Sequence, residues 1–545
     1  MKKLKGIAAS NGIAIGKVML YGGSGEITEK RRIENVADEL ERLQKAREKA
    51  LDDLNKIYLK SLKLVGEKDS MIFQIHKMMM EDEDYYGAIK SKIENDKVNA
   101  EYAVEETGKE FAEKFAQMDS EYMRARKTDV IDISKRLVQC LAGKAGGLSL
   151  ANVTEPCIIA ADELTPSETI CMDKSKIMSM ITKNGSKSSH SAILSRTMGI
   201  PSVVGLSEDF AGIADGMTVI VDGSEGTVIA EPSGEVLEEY EKKQKDYTQY
   251  RRDLEKLINS EAVTKDGRKM VINANIGSPS DVKDVLKYGA DGVGLFRSEF
   301  LYMKHDSLPT EEEQFEAYKE VLEKMEGRPV IVRTLDIGAD KKVPYLNLPK
   351  EDNPALGYRA IRICLDRRDL FCTQLRALMR ASAYGNLLIM FPMIISLSEI
   401  KEAKKELEKV KADLKKENVA FNPDVKVGIM IETPASVVQS EEFAKEVDFF
   451  SIGTNDLTQY TLAVDRMNDK LSSIYDQRHP AVLKMMEYTV RNAKKAGITV
   501  GICGESAADT SLTEFYLKIG VDELSVASSS ILEVKKKIIE TDLSK

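Results

Sequence analysis

Long apolar stretches and paired cysteines are both missing from this chain of 545 residues. No segment has the roughly 20 apolar residues of a membrane-spanning helix, and the apolar start is broken at Asn11, Gly12 and Gly16 without a cleavage-like site after it. The six cysteines form no Cys-x-x-Cys pair and no metal-ligand spacing; they are residues 140, 157, 171, 364, 372 and 503. Free thiols are typical of a reducing compartment, so we predict a cytoplasmic protein without a membrane segment.

Basic charge and nucleotide-binding signatures are also lacking. The formal net charge is −10, which leaves no basic surface for nucleic acid. No Gly-x-x-x-x-Gly-Lys-Ser/Thr run occurs. In the dinucleotide-like pattern Gly292-x-Gly294, Arg297 stands where the third glycine belongs. These absences exclude a nucleic-acid partner, a P-loop and a dinucleotide fold.

What the chain does contain changes in character along its length, which predicts several domains. From about residue 27 to 143 the pattern is helical, with long charged faces and no proline, and short β-branched runs begin near 148. Charged helical sequence returns over 233–260. We therefore divide the chain into an N-terminal strand segment (1–22), a helical domain (23–145), a small α/β domain (146–230), a helical linker (231–260) and a C-terminal domain (261–545).

Eight short apolar runs, with helical segments between them, occupy the C-terminal domain. They are Val271–Ile276, Gly292–Phe296, Val330–Leu335, Leu387–Met393, Lys426–Ile431, Phe449–Ile452, Thr499–Cys503 and Glu523–Ala527. Eight strands alternating with helices predict a (β/α)8 barrel, with a doubly wound open sheet as the alternative. The predicted fold class is multidomain α/β, with a C-terminal barrel, a small α/β domain and an inserted helical bundle.

Polar residues cluster where the predicted strands end. They are Arg297, Glu299, Arg333, Asp336, Glu432, Asn455, Asp456, Cys503 and Glu505. Because barrel active sites form at the carboxyl ends of strands, we expect these side chains to share one site. Arginine forks bind phosphate and carboxylate groups, and one or two carboxylates with substrate oxygens are the usual Mg²⁺ arrangement. Each charge alone is compatible with a surface salt bridge, but the whole set predicts a phosphorylated, carboxylated substrate bound with a divalent metal.

One of only four histidines lies in a run of small hydroxyl residues, Gly185-Ser-Lys-Ser-Ser-His-Ser-Ala-Ile-Leu-Ser-Arg196. Ser188 and Ser189 are typical N-cap residues and an apolar stripe begins at Ile193, so His190 opens a helix. A phosphate on its ring would lie beside unpaired backbone N–H groups, and a structural histidine in a helix-cap region is the alternative. The other histidines, which have no zinc-type pattern and are interpreted as structural or surface residues, are His76, His305 and His479.

Several segments resemble one known family, Enzyme I of the phosphoenolpyruvate-dependent sugar phosphotransferase system. They include Ser188-Ser-His-Ser-Ala-Ile-Leu-Ser-Arg196 with Gly199-Ile-Pro-Ser-Val-Val-Gly205, Gly292-Val-Gly-Leu-Phe-Arg-Ser-Glu-Phe300 and Asp448-Phe-Phe-Ser-Ile-Gly-Thr-Asn-Asp-Leu-Thr-Gln-Tyr-Thr-Leu-Ala-Val-Asp-Arg466. The similarity covers essentially the whole chain. It implies phosphoryl transfer from phosphoenolpyruvate to Nε2 of His190 and then to a histidine of the carrier protein HPr, with release of pyruvate.

By matching positions, the resemblance also implies site roles. Mg²⁺ would be held by Glu432 and Asp456, and phosphoenolpyruvate would be bound by Arg297, Arg333, Asn455, Asp456 and Arg466. Cys503 would protonate the enolate carbon, Thr169 would hydrogen-bond the other ring nitrogen of His190, and Arg359 would stabilise the transferring phosphoryl group. For Cys503, an inert buried thiol is the alternative.

The resemblance extends to partners as well. It implies that the helical domain docks HPr and that the barrel forms a homodimer. The acidic run 81–84 is a candidate HPr contact, although a solvated helix end explains it better.

Three positions depart from the family pattern, and two other functions remain open. Ser186 and Lys187 stand where the family has glycine and arginine, and Ala339 replaces a glycine, which puts rate and loop motion in question rather than reaction class. One alternative is a related enzyme such as pyruvate phosphate dikinase or phosphoenolpyruvate synthase, but residues 27–143 are too short and too helical for an ATP-binding half. The other is a regulatory paralogue without turnover, which the full set of reacting residues disfavours.

Overall fold

The structure of the chain is a computed structural model with two compact units, residues 1–250 and 251–545. It describes all residues except 22–28, 119–120, 144–152, 166–167, 170–171, 173–174, 187–188, 304–306, 340, 342, 472 and 545. The side chains of residues 60, 62–69, 121–125, 190, 193–194, 197 and 469 also lie outside the described part. Among the helices that are described, none is both long enough and apolar enough to cross a membrane.

The long helical stretch of the first unit forms a four-helix bundle. Its helices are α1 (Val36–Glu81), α2 (Glu83–Asp96), α3 (Ala100–Ala116) and α4 (Glu121–Leu141). Asn35 starts α1 by accepting hydrogen bonds from the backbone of Ala37 and Asp38, as an N-cap residue should. The apolar faces enclose a separate core that includes Leu43 and Ile89.

An eight-stranded sheet makes up the rest of the first unit. Its strands are β1 (Lys2–Lys5), β2 (Ile7–Ser10), β3 (Ile13–Tyr21), β4 (Cys157–Ala161), β5 (Ile177–Thr182), β6 (Ser202–Val204), β7 (Thr218–Asp222) and β8 (Thr227–Ala230). Their order is β1-β8-β7-β3-β4-β5-β6-β2, and β3 to β6 run parallel. The N-terminal segment, predicted as one strand, forms three: Gly6 separates β1 from β2, and Gly12, with a φ of 125°, lies at the turn between β2 and β3.

Two helices whose full bounds lie in the described part of the chain accompany this sheet. The helix α5 (His190–Met198) connects the parallel strands β5 and β6. The helix α6 (Gly234–Glu255) follows β8, and its Tyr240 packs on Ile220 and Ile229 of the sheet. The boundary between the two units falls inside α6, in the charged helical stretch that the sequence indicates.

Eight parallel strands close into a barrel in the second unit, which confirms the predicted fold class. They are β9 (Val271–Ile276), β10 (Val293–Arg297), β11 (Val330–Arg333), β12 (Leu387–Phe391), β13 (Lys426–Ile431), β14 (Phe449–Ile452), β15 (Thr499–Ile502) and β16 (Glu523–Ala527). The strand β16 pairs with β9 and closes the ring, which rules out the open sheet. Parallel strands are covered on both faces, which is why they read as apolar runs in the sequence.

Helices surround the barrel. They are α7 (Val282–Lys287), α8 (Glu299–Met303), α9 (Glu311–Lys324), α10 (Ile361–Asp366), α11 (Arg368–Ala381), α12 (Leu397–Lys416), α13 (Pro434–Val438), α14 (Ser440–Phe443), α15 (Thr454–Leu462), α16 (Pro480–Ala496), α17 (Thr513–Ile519) and α18 (Ile531–Glu540). Inside the ring, an apolar cluster fills the interior of the barrel; it includes Leu295, Ile331, Met390, Met430 and Phe449.

Candidate active site

Two arginines stand side by side at the carboxyl end of the barrel. Arg297 and Arg333 end the neighbouring strands β10 and β11 and are paired in register. Arg297 is exposed, whereas Arg333 is buried. Since Leu295 and Ile331 lie two residues earlier on the same strands, the two guanidinium groups lie above an apolar floor.

Buried carboxylates hold Arg333 in place. Its Nη2 pairs with Glu299, and its Nη1 lies 2.8 Å from Oδ2 of Asp336. The other oxygen of Asp336 lies 3.0 Å from Nη2 of Arg359. Burial raises the pKa of Asp336, but Arg333 and Arg359 outweigh this effect and hold it well below its ordinary value. Asp336 therefore stays ionised and orients two of the predicted phosphoryl-binding cations.

Substituting Asp336 with asparagine should destabilise the barrel by about 3–5 kcal/mol, because two buried guanidinium groups lose their shared counter-ion. Because the pKa of Asp336 is lowered in the folded protein, the stability gained from its ion pairs is fully present above the ordinary aspartate pKa of 3.8. This stability is lost progressively as the pH falls below that value. Denaturant unfolding of wild type and Asp336→Asn between pH 3 and 7 would measure both effects. A loss no larger than that of Glu402→Gln, which breaks an exposed pair with Arg368, would contradict the prediction.

A second feature of the same barrel mouth is a pair of carboxylates, those of Glu432 and Asp456. Glu432 follows β13 and is buried; its Oε1 accepts a 2.6 Å hydrogen bond from the backbone N–H of Met393, while its Oε2 has no partner among the described residues. Burial, followed by the charges of Asp456 and Asp336, raises the pKa of Glu432 to about 8. A bound cation would relieve this repulsion and satisfy the free oxygen, so the pair fits a divalent metal that takes its other ligands from substrate and water. The described residues contain no group of three or more His, Cys, Asp or Glu that could hold a metal by itself.

Asn455, Asp456 and Arg466 come from the chain after β14. The Oδ1 of Asn455 accepts hydrogen bonds from the backbone N–H of Glu505 (3.0 Å) and from Nε2 of Gln477 (3.1 Å). Arg466 lies 3.5 Å from Asp456 through its Nη1 and is partly exposed. Asn455 thus joins the loops after β14 and β15, and Arg466 reaches the carboxylate that faces Glu432.

Cys503 lies directly after β15 and belongs to the apolar cluster inside the barrel. Its Sγ is 3.6 Å from the carbonyl oxygen of Ile452. Burial raises the pKa of the thiol to about 11, although Arg333 and Arg297 act in the opposite direction. The thiol is therefore protonated at neutral pH and suits a proton donor rather than a nucleophilic thiolate.

The structure adds Lys341 to the groups named from the sequence. Its Nζ donates a 2.7 Å hydrogen bond to the carbonyl oxygen of Asp336 and lies 3.6 Å from Glu299. Lys341 follows no apolar run directly, so it is not among the polar residues that mark the strand ends in the sequence. Its position five residues after Asp336, in the same loop, was the available signal.

The remaining two predicted site residues, Thr169 and His190, belong to the first unit. His190 is the first residue of α5, as predicted, and its side chain lies outside the described part. Ser189 caps this helix by accepting a 3.4 Å hydrogen bond from the backbone N–H of Ala192. The helix follows the carboxyl end of β5, so backbone N–H groups at its start are available to an anion.

Thr169 follows the carboxyl end of the adjacent parallel strand β4. It is fully buried, and its hydroxyl donates a 2.9 Å hydrogen bond to the carbonyl oxygen of Thr165. Because that hydrogen is committed, the oxygen can only accept from a further partner. This suits a threonine that receives an imidazole N–H and leaves the other ring nitrogen unprotonated.

The departures from the family pattern are compatible with the backbone. Gly185 carries the positive φ of this loop, at 118, and neither Ser186 nor Ala339 is among the non-glycine residues with positive φ in the described chain. Lys187 lies outside the described residues.

Three ranges of the chain each match a family model of the PEP-utilising enzymes. Family models match residues 5–126 (PEP-utilising enzyme, N-terminal), 153–226 (PEP-utilising enzyme, mobile domain) and 251–543 (PEP-utilising enzyme, PEP-binding domain). The phosphoenolpyruvate-protein phosphotransferase of Priestia megaterium is 46% identical over 98% of this chain and 94% of its own length, and that of Bacillus subtilis (strain 168) is 46% identical over 99% and 94%. A solution structure of Enzyme I (nEIt) is 34% identical, covers 45% of this chain and 99% of its own, and gives a TM-score of 0.38.

Proposed function

The chain belongs to the phosphoenolpyruvate-protein phosphotransferases, and from this premise we propose that His190 carries the phosphoryl group from phosphoenolpyruvate to the protein HPr. The enzyme transfers a phosphoryl group from phosphoenolpyruvate to a histidine in the sugar phosphotransferase system, and it works with a phosphocarrier partner. One observation carries the assignment of residues. Arg333 ends β11, and Glu432 and Cys503 directly follow β13 and β15, so the three residues lie at the carboxyl end of one barrel, which supports a shared site.

Phosphoenolpyruvate binds at this mouth in our proposal. Arg297, Arg333, Asn455, Asp456 and Arg466 provide the binding groups. Guanidinium forks match the geometry of both the phosphate and the carboxylate of this substrate. The pairing of Arg333 with Glu299 and Asp336 supports the proposal, because a guanidinium that is already oriented loses less entropy on binding.

The enzymes of this family need a divalent metal, and we propose Mg²⁺ held by Glu432 and Asp456. When bound, the metal neutralises charge on the substrate oxygens. The unpartnered buried oxygen of Glu432 supports this assignment. Glu432 and Asp456 together hold the cation, and Arg466 limits the freedom of Asp456.

Each step of the phosphoryl transfer is assigned to a residue of the chain. The Nε2 of His190 attacks phosphorus as the bond from phosphorus to the enol oxygen breaks, and Arg359 stabilises the charge on the transferring group. Cys503 delivers its proton to the enolate carbon, which yields pyruvate. Thr169 accepts the N–H of the other ring nitrogen, so that Nε2 keeps its lone pair. His190 must reach both the barrel mouth and the carrier, and we propose that the α/β part swivels between them.

The helical bundle is the docking surface for HPr in this proposal. Met71 and Met78 are seven residues apart on α1, which places them on one face, and they are 46% and 69% exposed. Exposed methionines on a helix face are adaptable contacts for a protein partner. Dimer formation through the barrel is part of the same proposal, by resemblance to the family.

The test is a labelling experiment on the full-length protein. With phosphoenolpyruvate radiolabelled in the phosphoryl group and Mg²⁺, the protein should acquire an acid-labile label that moves to added HPr. Transfer to AMP and phosphate, or to water, in place of HPr would instead identify a dikinase or a synthase. A protein that takes up no acid-labile label would contradict the enzymatic assignment.

The metal assignment predicts a separate result. Glu432→Gln should lower labelling by at least about tenfold at limiting Mg²⁺, with recovery only at much higher Mg²⁺, because one of two ligand charges is lost. Titrating activity against Mg²⁺ after chelator treatment measures this. Glu406→Gln is the matched control, since Glu406 is equally buried but pairs with Lys409 on α12. If Glu432→Gln and Glu406→Gln show the same Mg²⁺ dependence, Glu432 is not a ligand of the metal.

A further inference from the structure

A buried glutamine on the outer side of the barrel contacts the ends of two strands. Gln374 lies on α11 and has no exposed surface, and the other buried residues of this helix are apolar. Its Oε1 accepts a 2.9 Å hydrogen bond from the backbone N–H of Leu335, and its Nε2 donates to Oγ of Ser298 at 3.0 Å. Burying a carboxamide among apolar side chains is costly unless each of its polar atoms is bonded, as they are here.

These two contacts fall beside the predicted substrate groups. Ser298 lies between Arg297 and Glu299, and Leu335 immediately precedes Asp336. One carboxamide therefore ties the end of β10 to the end of β11. The two arginines that are paired in register across these strands depend on the same junction.

Backbone pairing alone leaves this junction loosely defined. The β10–β11 ladder shifts register between Val293 and Phe296, and the β9–β10 ladder shifts between Val293 and Leu295. A bulge on both sides of β10 re-aims the residues that follow it. The Gln374 contacts supply a fixed point just after the irregular segment.

The orientation of the carboxamide is also determined. Its Nε2 donates a second hydrogen bond to the hydroxyl of Tyr318 at 3.1 Å, and Tyr318 in turn donates to Oε1 of Gln314 at 3.4 Å. Gln314 completes the chain by donating to the carbonyl oxygen of Pro309 at 3.2 Å. A flipped Gln374 would turn its amide toward the N–H of Leu335, so only one orientation satisfies the network.

We propose that Gln374 is a positioning residue that sets the spacing of Arg297 and Arg333 and thereby the affinity for phosphoenolpyruvate. This rests on the proposed binding roles of the two arginines. Gln374 touches neither arginine head in the proposal; it acts through the Ser298 and Leu335 segments. Its loss moves the arginines apart without removing either charge.

Steady-state kinetics of the full-length protein with Mg²⁺ and HPr test this. Gln374→Met, which keeps the volume and loses all three hydrogen bonds, should raise KM for phosphoenolpyruvate about tenfold, with a smaller change in kcat. Ser298→Ala should raise KM less, and adding it to Gln374→Met should raise KM no further, because both changes break the same contact. Transfer of phosphate from phosphorylated HPr back to the enzyme should not change.

Gln314→Met is the matched control. It removes a buried glutamine from the same network that bonds Tyr302, Tyr318 and Pro309 but neither Ser298 nor Leu335, so it should lower thermal stability like Gln374→Met but leave KM unchanged. Equal KM in Gln374→Met and wild type, or equal KM increases in both glutamine variants, would overturn the positioning role while the wild-type reaction still supports the proposed function. A wild-type protein that takes no label from phosphoenolpyruvate would overturn both.

Discussion

Replacing His190 with glutamine should abolish phosphorylation of the protein by phosphoenolpyruvate, with a fall of at least about 10⁴-fold. Glutamine has a similar length and polarity but no ring nitrogen that can attack phosphorus. The substrate groups of the barrel belong to a separate compact unit, so binding of phosphoenolpyruvate with Mg²⁺ should persist. Radiolabel incorporation measures the first effect and calorimetric titration the second.

His479→Gln is the control for that experiment. His479 caps α16 by accepting a hydrogen bond from the backbone N–H of Ala481, so its loss costs a helix cap rather than a nucleophile. Labelling of this variant should match wild type. Acid-labile label in His190→Gln at the wild-type level would mean that another residue carries the phosphoryl group.

Replacing Cys503 with alanine should separate the two half-reactions. Phosphorylation by phosphoenolpyruvate should fall about 10²–10⁴-fold, the range typical of a lost general acid. The reason is that the thiol, with a pKa raised to about 11, is protonated at neutral pH and has a transferable proton at the mouth. Transfer of phosphate from phosphorylated HPr to His190 involves no enolate, so it should proceed at the wild-type rate.

Single-turnover labelling from each side measures the two half-reactions separately. Cys372→Ala is the matched control, because this partly buried thiol lies on α11 and approaches Glu406 rather than the mouth. Both half-reactions should survive in that variant. If Cys503→Ala slows both directions equally, Cys503 is a structural residue and not the proton donor.

The barrel and its mouth were predictable to different degrees. Seven of the eight apolar runs contain an observed strand, and the eighth, Gly292–Phe296, ends one residue before β10 does, because strands covered on both faces are mostly apolar. The polar residues after the runs were predicted to meet, and Arg297, Arg333 and Glu432 do lie at one end of the barrel. Lys341 was missed because it lies inside a loop, away from any strand end.

The ionic partners at the mouth could not be read from the sequence. Arg333 pairs with Glu299 and Asp336, and Asp336 also pairs with Arg359, while Glu432 has a buried oxygen without a partner in the described chain. Any of these charges could have been a solvated surface group. Burial fixes the orientation of Arg333 and Arg359 and leaves one oxygen of Glu432 without a partner among the described residues, and a metal could supply that partner. These side chains are buried only because the barrel is closed.

The sequence by itself determined the reaction family and the eight-stranded barrel, and it predicted the reacting residues, because apolar runs and motif residues are local patterns along the chain. The tertiary structure alone decided which charges neutralise one another and which are left for ligands. Gln374 illustrates the difference: it lies 39 residues from Leu335 and 76 from Ser298, yet one carboxamide joins them. Contacts between residues so far apart along the chain form only when helices pack against strand ends, so no periodicity in the sequence predicts them.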